Sequence, residues 1–170
     1  MRKSINICLC LALAFSLSLN ISAQSTEKEL DQVELLKQLI GTWEADIGKD
    51  SVSVLVFTPL NNGLHFVQEY KANGEVYMTL KGILGFSNDK QMIYGVGIIT
   101  DGTLLFDYGR FETKTKYKVD RYYGNTSHAA QMVEWELLTP ESFVGRGKWR
   151  GDGMTWSPEW YEWDTFKKVK

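Results

Sequence analysis

The sequence predicts an all-β protein: a single antiparallel up-and-down β-barrel of about ten strands, preceded by an N-terminal amphipathic helix. Three observations carry this. Turn-forming residues recur at short, even intervals from Gly41 to the C-terminus. The runs between them are rich in Val, Ile, Tyr, Phe and Trp and alternate apolar with polar side chains. One stretch ahead of them has helical periodicity instead. Hairpin-length connections join antiparallel neighbours and leave no room for parallel crossovers.

Taken in order, residues 1–23 read as a signal peptide. Arg2 and Lys3 precede an apolar run from Ile5 to Leu19 that is short for a membrane span, and Ile21-Ser22-Ala23 offers small residues before Gln24. The barrel domain is then 24–170. Cys8 and Cys10 both fall in the leader, so the mature chain has no thiol for disulfides or metal binding. The expectation is an exported protein, periplasmic or extracellular, with no stable membrane insertion after cleavage. Lys and Arg together number 19 against 21 for Asp and Glu. Without a basic excess, nucleic acid is not an expected partner.

Ser25 to Ile40 is the expected helix. Thr26-x-x-Glu29 has capping-box spacing, and Leu30, Val33, Leu36, Leu39 and Ile40 form one apolar stripe between charged residues. Gly41 is its expected C-cap. Turn signals then follow at Gly48-Lys49-Asp50, Asn61-Asn62-Gly63, Asn73-Gly74, Ser87-Asn88-Asp89, Asp101-Gly102, Gly124-Asn125, Thr139-Pro140-Glu141 and Gly151-Asp152-Gly153. Within 113–123, Lys114, Lys116, Lys118 and Asp120 share one face, while Thr115, Tyr117, Val119, Arg121 and Tyr123 share the other. Such half-wet strands suit a barrel wall.

Gly41-Thr42-Trp43 stands where the helix gives way to the first strand. With Leu36-x-x-Leu39-Ile40 before it, and Gly82–Phe86 and Tyr94-Gly95 after it, the chain resembles the calycin and lipocalin superfamily, in particular bacterial secreted lipocalin-like proteins. The resemblance implies that Trp43 plugs the closed end of the barrel. It further implies a basic residue across that ring, for which Lys167 and Lys168 are equivalent candidates. The haem-binding nitrobindin-like members have a glycine-rich extension after the tryptophan, but here Glu44-Ala45-Asp46-Ile47 follows. Only His65 and His128 are present, without ligand partners at useful spacing. No cofactor and no metal is expected.

Nucleophilic catalysis finds no G-x-S-x-G and no cysteine in the mature chain, so no catalytic residue is assigned. The aromatic residues are the remaining chemical feature. Tyr70, Tyr94, Phe106, Tyr108, Tyr117 and Trp135 are candidates for an aromatic cavity wall, with Arg110 and Arg121 on strand faces shared with aromatic rings. The same residues suit a barrel filled by its own side chains. Trp156 to Trp163 adds an aromatic run broken by Pro158, a smaller candidate for a sugar platform. The expected function is non-enzymatic binding of a small hydrophobic or amphipathic molecule. Calycins that carry fatty acids imply an anionic head group paired with Arg110 or Arg121. The alternatives are a packed structural or protein-interaction module of the cell envelope and, less favoured, a cofactor-free isomerase or cyclase.

Overall fold

A computed structural model describes residues 30–124, 129–150 and 155–169. The expected signal peptide, His128 and the Gly151-Asp152-Gly153 turn lie outside these residues. A short helix, α1 (Gln32–Lys37), leads into ten strands: β1 (Gly41–Gly48), β2 (Ser51–Leu60), β3 (Gly63–Ala72), β4 (Glu75–Ser87), β5 (Met92–Ile99), β6 (Leu104–Phe111), β7 (Lys116–Tyr123), β8 (Gln131–Thr139), β9 (Ser142–Trp149) and β10 (Tyr161–Val169). Every strand pairs antiparallel with its sequence neighbours, and β1 pairs with β10, so the sheet closes into a ten-stranded barrel without crossovers. Closure leaves no free sheet edge.

The turns follow their residue chemistry. Asn73 and Gly74, at φ 51° and 81°, supply the two left-handed positions of a two-residue hairpin between β3 and β4. Asp101 accepts a hydrogen bond from the Thr103 amide at 2.8 Å, which shapes the turn between β5 and β6.

The helix differs from its expectation. Residues 25–29 lie outside the described residues, and α1 starts after Asp31, whose side chain accepts from the Glu34 amide at 3.0 Å as an N-cap. It ends at Lys37, because Gln38, Leu39 and Ile40 close with tighter bonds to carbonyls three residues back. Gly41 is therefore the first residue of β1 rather than a helix cap. Its φ of 133° is a conformation that side chains rarely adopt, so glycine is favoured there.

Helix α1 lies across one end of the barrel. Gln32 is buried there and bonds both backbone groups of Phe111, donating to its oxygen at 3.1 Å and accepting from its amide at 2.7 Å. Trp43 is fully buried and donates from Nε1 to the Leu39 oxygen at 2.7 Å. Phe143 meets its ring edge-on at 5.0 Å, and Phe166 stacks on Phe143 at 4.8 Å. This aromatic floor, packed in one core with Leu36 of α1 and Leu39 just beyond it, forms the closed end. Its apolar burial supplies the main driving force for folding. Of the two lysine candidates, Lys168 lies over Trp43, its Nζ 5.0 Å from the ring centroid, because it is the register partner of Trp43 on β10. No helix among the described residues is long and apolar enough to cross a membrane.

Candidate functional site

Strand alternation sorts the candidate residues into two groups. On β7, Tyr117, Val119, Arg121 and Tyr123 point into the barrel, and on β8 Gln131, Val133, Trp135 and Leu137 do the same. Tyr70 projects from the inward face of β3, in line with Leu64, Phe66 and Gln68. Tyr70, Tyr117, Arg121 and Trp135 are thus brought together inside the barrel.

Tyr94, Phe106, Tyr108 and Arg110 are not. The inward residues of β6 are Leu105, Asp107, Gly109 and Phe111, all buried, so Phe106, Tyr108 and the exposed Arg110 belong to the outer wall. The expectation that they line the interior is corrected. Two packing constraints explain the choice. A Cβ on Gly109 would approach the Lys118 oxygen to 2.1 Å, so the narrow β6–β7 contact needs glycine on the inner face. Outside, Tyr94, Tyr108 and Tyr122 form a ladder of edge-to-face rings at 5.1 and 5.3 Å. With Phe106 and Gly124 beside them, Tyr108 and Tyr122 line a shallow outer concavity of about 360 Å³. His65 is also outside, 3.5 Å from the Thr58 hydroxyl.

Inside, the lower half is filled with rings. Trp135 meets Phe57 at 5.9 Å, Tyr117 at 5.7 Å and Phe143 at 5.8 Å, and Tyr117 continues to Phe111 at 5.0 Å. Phe57, Tyr117, Phe143 and Phe111 are each about 1% exposed, yet Trp135 keeps part of its surface accessible. Trp135 is thus an inward ring that its neighbours cover only in part.

Above Trp135 the interior becomes polar. Arg121 donates from Nε and Nη2 to the two carboxylate oxygens of Asp107, each at 2.8 Å, and both side chains are nearly buried. Burial opposes the guanidinium charge, but Asp107 more than offsets it and raises the Arg121 pKa above its usual value. Tyr123 donates to Gln131 Oε1 at 2.9 Å, and Gln68 donates to the fully buried Ser53 hydroxyl at 2.9 Å. Burial raises the phenols of Tyr70, Tyr117 and Tyr123. They stay protonated at neutral pH. The Tyr117 hydroxyl is buried and has no hydrogen-bond partner among the described residues. Trp163 fits against Gly145 and Gly147, whose Cβ atoms would come within 2.6 and 2.7 Å of its ring.

Asp107 is the residue that pattern reading misses, although an acid alternating with Leu105, Gly109 and Phe111 is a sign of a buried charge with a partner. Among the described residues, no group of three or more His, Cys, Asp or Glu side chains gathers to hold a metal. No known protein family and no curated protein matches the chain.

Proposed function

We propose that this chain is a calycin-like exported binding protein that holds a small amphipathic molecule inside the barrel, in a lumen above Trp135. The observation that carries the reading is the exposure of Trp135. Its ring points inward, is flanked by side chains sealed from solvent, and still keeps accessible surface. A barrel evolved only to be packed would cover that surface, since an exposed indole forgoes about 25 cal/mol per Å² of apolar burial. The ligand's apolar part would rest on Trp135, with Trp163 near it, and its polar end would face the cluster around Arg121. Export is supported by the leader-like residues 1–23, and the calycin reading by Gly41-Thr42-Trp43 with Lys168 over the ring. Native mass spectrometry of protein purified from its own host tests this. A bound small molecule released by unfolding supports the reading, and an apo mass throughout, with no saturable binding of amphiphiles, defeats it.

A second reading has its own support. Ile83, Val96, Ile98 and Leu104 are 43%, 39%, 48% and 43% exposed and adjoin one another through the β4–β5 and β5–β6 registers. A contiguous apolar strip on an outer wall favours a protein-interaction module. Charged substitutions there, such as Val96→Lys with Ile98→Glu, would abolish a protein complex while leaving lumen binding intact.

A further inference from the structure

The outer wall of β5, β6 and β7 carries chemistry that a lumen ligand leaves unused. Strand register sets three rows across it. Arg110 faces Lys118, Tyr108 lies between Tyr94 and Asp120, and Phe106 faces Tyr122. Alternate residues on a strand are about 7 Å apart, so the wall passes from charged to aromatic within about 14 Å. Two shallow recesses follow these rows. One is the concavity lined by Phe106, Tyr108, Tyr122 and Gly124. The other, also about 360 Å³, lies among Lys90, Arg110, Glu112, Lys118 and Asp120. Tyr108 borders both, so they adjoin as one open cleft along the strands. In the aromatic half, edge-to-face contacts brace Tyr108 against Tyr94 and Tyr122. In the charged half, Lys118 reaches Glu112 at 3.7 Å. Arg110 and Asp120 are exposed and make no ion pair or side-chain hydrogen bond among the described residues.

We propose that this outer cleft binds a glycan chain. A pyranose ring has an apolar face of C–H bonds, which suits the negative face of a phenol, and hydroxyls that both donate and accept. The cleft offers matching groups side by side. Its rings take the apolar face, the Asp120 carboxylate accepts from hydroxyls, and the Arg110 guanidinium donates to them. A purely apolar ligand would cover those two charges without giving them partners, which costs free energy. A peptide strand has no sheet edge to join, because the barrel is closed. Neither recess is enclosed, so a polymer can run through the cleft with successive sugars over successive rows. The site lies outside the barrel and does not depend on lumen binding.

Calorimetric titration with three hexasaccharides tests the proposal: cellohexaose, chitohexaose and hexagalacturonate. At least one should bind the wild-type protein saturably. Asp120→Ala and Arg110→Met change exposed side chains and should leave the fold intact. Each should weaken that binding about tenfold, the size of one hydrogen bond to a charged group. Tyr108→Ala should weaken it at least tenfold. NMR of the wild-type protein supplies a readout without any variant. The ring signals of Tyr94, Tyr108 and Tyr122 should shift with the same sugar while the Trp135 indole stays in place. No saturable binding of any of the three sugars overturns the proposal. So does binding that neither Asp120→Ala nor Arg110→Met weakens, or that moves the Trp135 indole and not the outer rings. Decaproline bound at the tyrosines in place of the sugars would assign the cleft to an extended peptide and overturn it as well.

Discussion

Arg121 and Asp107 meet edge to edge across the β6–β7 ladder, where they are direct register partners, through two parallel hydrogen bonds of 2.8 Å. Both strands direct these residues inward, so each charge is buried against the other. A bidentate geometry is the arrangement in which such a pair best recovers the desolvation of its charges. It also makes each partner hostage to the other. Asp107→Asn should destabilise the fold by about 3–5 kcal/mol, because it leaves an uncompensated buried guanidinium. The double variant Asp107→Leu with Arg121→Met should lose much less than the two single changes combined. Urea unfolding of the four proteins measures this coupling. Additive losses would show that the pair is not energetically joined.

Trp43 closes the opposite end. Trp43→Ala should reduce stability by about 3–5 kcal/mol through loss of ring packing on Phe143 and the cavity left behind. Trp43→Phe keeps an aromatic plug but removes the bond to the Leu39 oxygen, and should lose about 1–3 kcal/mol. Denaturant midpoints that do not move in either variant would mean that the helix end is not seated by this residue.

Stability should fall at alkaline pH. Desolvation by burial raises the phenols of Tyr70, Tyr117 and Tyr123 above their ordinary value of 10.0. The folded protein keeps protons that the unfolded chain releases. Their contribution is therefore complete below about pH 10 and is lost as pH climbs beyond it, by up to about 1.4 kcal/mol per pH unit for each phenol. Tyr117→Phe should make the decline shallower by one phenol's share. Denaturation curves at pH 8 and 11 compare the slopes, and identical slopes for variant and wild type would refute the assignment.

Gly145 is held to its identity by a neighbour. Its missing Cβ is the space occupied by the Trp163 ring, 2.6 Å away. Gly145→Ala should lose about 1–3 kcal/mol from overpacking and shift the intrinsic tryptophan emission as the indole is displaced. A thermal midpoint within error of the wild type would show that Trp163 moves aside freely.

Much of the barrel is legible in the sequence because period-two alternation and turn residues are local signals. Asn73-Gly74 announces its hairpin, and Gly41-Thr42-Trp43 announces the closed end. The site is only half legible. On β7, Lys116, Lys118 and Asp120 mark the wet face and leave Tyr117 and Arg121 as the inner one. On β6 no such marker exists. Phe106, Tyr108 and Arg110 look like an inner aromatic face, while the true inner face carries an acid and a glycine. What decides is non-local: Asp107 needs Arg121 from the next strand, and Gly109 needs closeness to Lys118. Helix length is misread for a related reason. An apolar stripe through Ile40 has helical spacing, but the chain tightens after Lys37 and Gly41 already pairs with Phe57 of β2.

The most direct test of the binding account is a residue-resolved NMR titration with a single-chain amphiphile that carries a neutral polar head. The account predicts saturable shifts at the Trp135 and Trp163 indole N–H signals and at the Arg121 and Tyr123 amides. Tyr94, Tyr108 and Tyr122 on the outer wall should stay in place. Shifts confined to that outer ladder and to Val96 and Ile98, with the Trp135 indole unmoved, would contradict it and assign binding to the exterior of the barrel.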